Sequence, residues 1–473
     1  MGVDGLKRVV AAKKAGKKLR PLVSPHVFAR VRPPAESGGH AMEQEGRGPV
    51  SMRLSRVESG PPGAVVISDG HGEQVYDFPK RVFDLDATQE EVYVEAVRPL
   101  VDQFTDFPGG HNCLFFAYGQ TGTGKTHTIL GPEHTWADMH HKERGIMPRI
   151  IEDTIRVMSG LEAESGGNHV WTLQASAIQF YMMGCSDLLN DNQPIIIDNG
   201  SFGTCVAEYE PIGVRSITVT CLEDLLEVYD LVFKNRNTAS TYMNTSKGKG
   251  AHSGSSRSHA SIILTLKQVD RVSGLHQTTT FKVVDLAGAE RPNSNRDGHA
   301  SMIEAVIAYM QGKEMTAHQG VLINYELHMF RSQVVSATDL HKRGIDMNPP
   351  KQLGTPASEF LSASFTGTAR LGMVVCLSPA PANGWETWFA CTYGRDLAAL
   401  RVRGKSVPTT PFAEALRDAR IRRKNAARAL AETPPKGSPK SKYYARRVCE
   451  DITWENELGI MEKLGRAAHI EAA

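Results

Sequence analysis

Apolar residues recur along this chain at two spacings, and the spacing changes from one stretch to the next. Residues 26–32 alternate and stop at Pro33-Pro34, which predicts a strand. Val65-Val66-Ile67 and residues 73–78 predict two short strands. Residues 88–104 place Val92, Ala96, Val97, Leu100, Val101 and Phe104 at helical spacing. Cys113 to Tyr118 is a continuous apolar run of the kind a buried strand carries. Further helices are predicted over 148–158, 221–233, 321–337 and 385–400. Further strands are predicted over 172–180, 260–269, 279–285 and 371–377. Strand and helix alternate, so the pattern predicts an α/β fold. Its central sheet is mixed and mostly parallel, with helices on both faces. Residues 35–48, rich in Gly and charge, predict a loop.

The predicted strand 113–118 runs into Gly119-Gln120-Thr121-Gly122-Thr123-Gly124-Lys125-Thr126, which fits G-x-x-x-x-G-K-[ST]. Glycines let backbone N–H groups approach phosphate oxygens with no Cβ in the way. Lys125 can place a point charge at the β- and γ-phosphates, and the Thr126 hydroxyl can ligate Mg²⁺. The helix that follows would turn its positive end to the same anions. A second motif is the apolar strand Phe281-Lys282-Val283-Val284 ending in Asp285, followed by Gly288. An aspartate there can hold a water on Mg²⁺, and a glycine N–H can reach a γ-phosphate. A third is Ser255-Ser256-Arg257-Ser258-His259, whose hydroxyls, guanidinium and imidazole can serve metal, phosphate and attacking water together.

Composition changes this picture little, but charge distribution adds to it. The 473 residues are 41% hydrophobic and 22% charged, with a net charge of +2. That balance describes an ordinary globular chain and gives no sign of a nucleic-acid partner. Residues 1–21 carry seven Lys or Arg against Asp4, and 401–447 is similarly basic. The expected layout is a basic extension over 1–21, one large domain over 22–403, and a basic linker and tail over 404–473 with a helix at 411–430. Seven cysteines without a C-x-x-C pair read as reduced thiols of an intracellular protein. No apolar run approaches membrane-spanning length. His134, Asp138, His140 and His141 cluster at a spacing that matches no defined metal site, so they read as a solvated loop.

The ordered motifs GQTGTGKT, SSRSH and DLAGAE resemble the kinesin motor domain. Arg30-Val31-Arg32-Pro33, Gly145-Ile146-Met147-Pro148-Arg149 and Cys376-Leu377-Ser378-Pro379 match its flanking segments, and the likeness spans about residues 24–403. The resemblance implies an ATP-hydrolysing P-loop motor that binds ATP and Mg²⁺ and works on microtubules. It puts Gly119, Gln120, Thr121, Gly122, Thr123, Gly124, Lys125 and Thr126 on the phosphates. Arg30, Pro33 and His127 would lie beside the adenine. Ser255 and Ser256 would hold the γ-phosphate side, with Thr126, Ser256 and Asp285 at the metal. Asp285 and Gly288 would sense the γ-phosphate, and an Arg257–Glu290 ion pair would close the site around the attacking water. A Ras-like switch also uses D-x-A-G-x-E, but no N-K-x-D guanine reader occurs, so adenine is expected. The implied setting is the cytoplasm and its microtubule cytoskeleton, a ciliary or flagellar axoneme included.

The chain departs from the family pattern in three places. Thr245 to Gly254 put ten residues between Asn244 and Ser255 where the family has two, so slow turnover is expected, with His252 a candidate to stand in for Asn244. The tubulin-facing Y-R-x-S-K-L-T is replaced by KQLGTPASEF at 351–360, leaving His341, Lys342, Arg343 and Lys351 as cations. Ile323-Asn324 and Leu327 match I-N-x-S-L, but Glu326 stands for Ser, Val321 and Leu322 for polar residues, and 303–319 reads as an extended loop. After the last helix Pro408 and Pro411 would remove ladder donors, so strand docking is expected to fail beyond Val407. No sustained heptads follow, so no coiled-coil dimer is predicted. The alternative to a motor is a structural, weakly motile or non-motile microtubule-associated relative, fixed within a larger assembly.

Overall fold

The computed structural model describes residues 22–33, 52–181, 184–197, 211–244, 258–289, 301–311, 316–343, 345, 355–380, 383–434 and 442–470. Its main sheet contains, in chain order, β1 (His26–Val31), β2 (Arg81–Phe83), β3 (Asn112–Tyr118), β4 (His169–Tyr181), β5 (Gly184–Asp187), β6 (Gln193–Pro194), β7 (Ile217–Val219), β8 (His259–Asp270), β9 (Leu275–Asp285), β10 (Ala369–Leu377) and β11 (Thr410–Pro411). The spatial order is β6-β5-β4-β8-β9-β3-β10-β1-β2, with β7 beside β4 and β11 beside β9. The pairs β9–β3, β3–β10, β10–β1 and β1–β2 are parallel. The flank beyond β9 is antiparallel, built on the long β8–β9 and β8–β4 ladders. This is the mixed sheet that the strand and helix alternation predicts.

Alternation along β3 assigns the two faces. Leu114, Phe116 and Tyr118 point into one core and Cys113, Phe115 and Ala117 into the other. On the second face lie α1 (Gln89–Ala96), α2 (Arg98–Thr105), α3 (Lys125–Leu130), α4 (Ile146–Glu164) and α5 (Asp224–Asn244). Over the first lie α7 (Thr316–Lys342), α8 (Pro356–Ser362) and α9 (Gly384–Ala398), α6 (Met302–Met310) packing on the start of α7. A small antiparallel sheet of Arg53–Glu58, Gly63–Ser68 and Glu73–Phe78 caps that core.

Three expectations need correction. The helix expected over 88–104 is two helices, because Pro99 lies in the first turn of α2 and has no N–H to continue α1. The extended loop expected over 303–319 contains α6. Ser301 and Glu304 form a capping box ahead of an apolar run, a start signal that outweighs any loop reading. Leu322 is apolar for the same reason, being 1% exposed beneath α6 in a cluster with Ala305.

The third correction concerns residues after 400. Val402–Arg403 pairs with Leu22–Val23, Lys405 N–H donates to Gly367 O (2.9 Å), and Val407 N–H donates to Gly110 O (2.8 Å). Docking continues past Val407, because Thr410–Pro411 pairs with β9 and Phe412 N–H donates to Gly274 O (2.8 Å). The donors are Val407 and Phe412, so neither proline is asked for an N–H. α10 (Phe412–Ala431), predicted almost to the residue, and α11 (Lys442–Ala468), which periodicity did not reveal, then fold back onto the antiparallel flank. Phe412, Leu416, Ala419, Met461 and Leu464 close over Val170 and Val269. Lys267, buried on β8, donates to Glu457 (2.8 Å), and Arg423 pairs with Asp451 (2.5 Å).

His276 sits under this hairpin, its ring edge-on to Phe412 at 5.8 Å. Burial, and then the Lys267 ammonium, lower its imidazole to about 4 from 6.5, so it folds uncharged. Its contribution is whole above the unfolded value near 6.5 and is lost as pH falls from there toward 4, at about 1.4 kcal/mol per unit. Urea titrations of the native chain and His276→Gln should therefore diverge with acid. Between pH 7.5 and 4.5 the native chain should lose about 2.5 kcal/mol relative to the variant. A difference independent of pH would contradict a buried neutral imidazole.

Candidate functional site

Strand β3 delivers residues 119–124 to the carboxyl edge of the parallel half of the sheet, the usual crevice of such sheets. Gly119 adopts φ +153°, and a Cβ there would lie 2.3 Å from the Cys376 carbonyl oxygen on β10. Gly122 (φ +81°) and Gly124 (φ +93°) also take left-handed conformations. The Thr123 hydroxyl donates to Gln120 O (2.8 Å). Lys125 Nζ donates to Gly119 O (3.0 Å) and Gln120 O (2.8 Å), so its ammonium, 7% exposed, sits within the curl of the loop.

The neighbouring strand brings the second motif to the same place. The Thr126 hydroxyl donates to Asp285 Oδ2 (2.7 Å) across 159 residues of sequence. The same oxygen pairs with Arg236 NH1 (3.0 Å), both side chains being at most 6% exposed. Asp285 Oδ1 is buried with no protein partner among the described residues. Ala289 N–H donates to Gly119 O (3.3 Å), which lays the segment after β9, with Gly288 next to Ala289 in it, against the phosphate loop. The Thr126 hydroxyl and a carboxylate with an open oxygen are hard-oxygen donors that fit Mg²⁺, and the nearby Lys125 ammonium suits the oxygens of a polyphosphate beside them.

The residues expected at the adenine gather at the far side of α3. Arg30 NH1 donates to Gln89 Oε1 (2.8 Å) and Thr128 Oγ1 (2.9 Å). Gln89 Nε2 donates to His127 O (2.6 Å) and lies 3.2 Å from His127 Nδ1. Burial of its ring, and then the Arg30 guanidinium, lower the His127 imidazole to about 4. The ring is therefore neutral at physiological pH. Pro33 is exposed, and the Arg32 guanidinium donates to its carbonyl (2.7 Å).

Ser255, Ser256, Arg257, Glu290 and His252 lie outside the described residues, as do the side chain of Asn244 and all of 351–354. His341, expected as a surface cation, is 6% exposed and belongs to the inner face of α7, whereas Lys342 and Arg343 are exposed. In the histidine cluster, His140 pairs with Glu223 (3.2 Å) and His134 with Glu143 (3.3 Å). His141 Nδ1 accepts from Glu143 N–H (3.1 Å), so a neutral His141 ring carries its proton on Nε2. That arrangement suits a hydrogen-bonded surface turn.

Sequence reasoning missed Arg236, Gln89 and the part His259 plays. Arg236 lies outside all three motifs, on a helix that also carries Glu227, Asp230 and Lys234, so its residue type did not set it apart. His259 was read as the end of a polar motif, yet its Nδ1 accepts from Ala287 N–H (2.8 Å) and its Nε2 lies 3.3 Å from Glu326 Oε2.

The Arg236–Asp285 pair yields a direct test. Arg236→Leu removes one partner of a buried pair and leaves the carboxylate uncompensated, at a cost of about 3–5 kcal/mol. Urea unfolding should report that loss, and a loss below about 1 kcal/mol would mean the pair is effectively solvated.

Comparison with known proteins agrees with this geometry. The family described as "Kinesin motor domain" matches residues 30–308. The human "Kinesin-like protein KIF15" is 30% identical over 283 residues, covering 58% of this chain and 18% of the relative. "Kinesin-related protein 3" of Dictyostelium discoideum is 28% identical over 345 residues, covering 72% of this chain and 25% of the relative. The chain thus spans well under half the length of these relatives. A solved structure described as "Structure of a fast kinesin: Implications for ATPase mechanism and interactions with microtubules" superposes with a TM-score of 0.59 at 24% identity. It covers 82% of this chain and 94% of its own. With the match extending over more than half of its length, the chain belongs to the kinesin motor domain family.

Proposed function

We propose that this chain is a Mg²⁺-dependent ATPase of the kinesin type that works against microtubules. The observation that carries the reading is the 2.7 Å bond between Thr126 and Asp285 beside the loop that holds Lys125. The backbone of Gly119 to Gly124 cradles the phosphates, and Lys125 moves its ammonium from loop carbonyls to phosphate oxygens. Thr126 and Asp285 would hold Mg²⁺, which would supply positive charge to offset the triphosphate's. Gly288 reports the γ-phosphate through its N–H. Arg30, Pro33, Gln89 and His127 border the base. From the family resemblance, Ser255 and Ser256 complete the metal and γ-phosphate side, and Arg257 with Glu290 closes it. No single side chain is needed as a strong base, because rate comes from positioning and charge stabilisation. The setting proposed is the cytoplasm and its microtubules.

Steady-state hydrolysis with and without microtubules tests this reading. Stimulated turnover is expected, and Lys125→Ala should lower it by about 10²-fold or more, the usual effect of removing one preorganised donor. Activity that survives the substitution would show that phosphate is held elsewhere.

A second reading, a structural and weakly motile or non-motile microtubule-associated subunit of a larger assembly such as an axoneme, is favoured by one observation. The segment 402–412 is bonded at Val402, Lys405, Val407, Thr410 and Phe412 and is covered beyond by the α10–α11 hairpin. A segment held at both ends is a poor lever. Hydrogen exchange of the Lys405, Val407 and Phe412 amides should then be equally slow with ADP and with a non-hydrolysable ATP analogue. Protection that appears only with the ATP analogue would favour the moving form.

A further inference from the structure

Glu326 is costly where it stands. It lies on α7, 3% exposed, among Ile323, Leu327 and Phe330, whose apolar stripe packs on the sheet. Phe330 meets Phe116 of β3 edge-on at 5.5 Å. A carboxyl group gives up most of its hydration on such burial, and burial pushes its pKa up. A leucine of similar volume would fill the space without that cost. Its Oε1 has no partner among the described residues, and its Oε2 has one, His259 Nε2 at 3.3 Å.

His259, 1% exposed on β8, is bound on its other nitrogen as well. Nδ1 accepts the Ala287 N–H, so the neutral ring carries its proton on Nε2 and donates it to Glu326. The ring therefore has one tautomer and one orientation while both bonds stand. Ala287 is fully buried and sits between Asp285, which holds Thr126, and Ala289, which donates to Gly119. Three consecutive contacts lead from the core of α7 to the backbone beside the phosphate loop, and none of them passes through solvent.

We propose that Glu326 and His259 are positioning residues that couple α7 to the nucleotide loop: Glu326 fixes the His259 ring, and the ring fixes Ala287 and with it the Gly288 N–H. The departure Glu326 for Ser in the I-N-x-S-L pattern then supplies a side chain long enough to span from helix to ring. The coupling rests on the ATPase reading for its consequence, but the bond chain does not.

The test uses the full chain with Glu326→Leu, which keeps volume and removes the acceptor, and Glu326→Gln, which keeps an acceptor oxygen without charge. Exchange of the Ala287 amide is measured without nucleotide, and kcat and KM are measured with MgATP. Loss of one such bond predicts about tenfold faster exchange and about tenfold lower kcat in the leucine variant, with KM within about twofold. The glutamine variant should restore both to within about threefold. A folded leucine variant with unchanged Ala287 exchange overturns the proposal. So does a glutamine variant as impaired as leucine, or a leucine variant that raises KM as much as it lowers kcat. Should the leucine variant fail to fold, His259→Leu, which removes the acceptor for Ala287, must show the same exchange increase. An unchanged amide there overturns the proposal equally. Absence of turnover in the native chain would sink the ATPase reading while the exchange result still decides the coupling.

Discussion

The structure turns on a buried carboxylate. Asp285 ends β9 at the point where the sheet changes from antiparallel to parallel, and it receives a hydroxyl from Thr126 and a guanidinium from Arg236. A charge in that position is tolerable only with such partners. Each partner comes from a different element: Thr126 from the helix after β3, Arg236 from α5. One carboxylate therefore ties two strands and two helices to the edge where a polyphosphate would lie. The parallel register of β3 against β9 makes this possible, because it sets Ala117 opposite Asp285 and carries the loop just past it.

Close packing fixes the rest of the edge. Gly119 lets β3 and β10 approach until the loop backbone nearly touches the Cys376 carbonyl, and no other residue fits there. On the opposite face, α7 lays Ile323, Leu327 and Phe330 on the sheet and carries Glu326 to His259 of β8, whose ring in turn accepts the Ala287 N–H after β9. The nucleotide loop is thus bordered by a rigid core on one side and by a helix with a polar connection on the other. The C-terminal hairpin packs at the other end of these strands, over Val170 and Val269, with Thr410–Pro411 paired to the start of β9.

Much of this was legible in the residues because it is local. The phosphate loop, the strand before it and Asp285 at the end of an apolar strand are read from spacing and residue type alone. The central strands follow from continuous apolar runs, and α10 follows from its period. What was not legible depends on distant partners. Arg236 matters because Asp285 lies beside it in space, 49 residues away in sequence. His259 appeared to belong to the polar motif at 255–259, but the strand geometry turns its ring away toward α7. α11 mixes charged and apolar residues on most faces, so only packing against β8 and α10 defines its inner side. α6 was missed for a different reason: its capping box was visible, but comparison with a shorter loop in the family pattern made the insertion look unstructured.

The central claim is that Thr126 and Asp285 together make a metal-bearing phosphate site. Calorimetric titration of the full chain with ATP, once with Mg²⁺ and once with a chelator, tests it most directly. The account predicts saturable association with Mg²⁺ and at least about tenfold weaker association without it. Absence of heat on folded protein, or affinity that ignores the metal, would contradict the account.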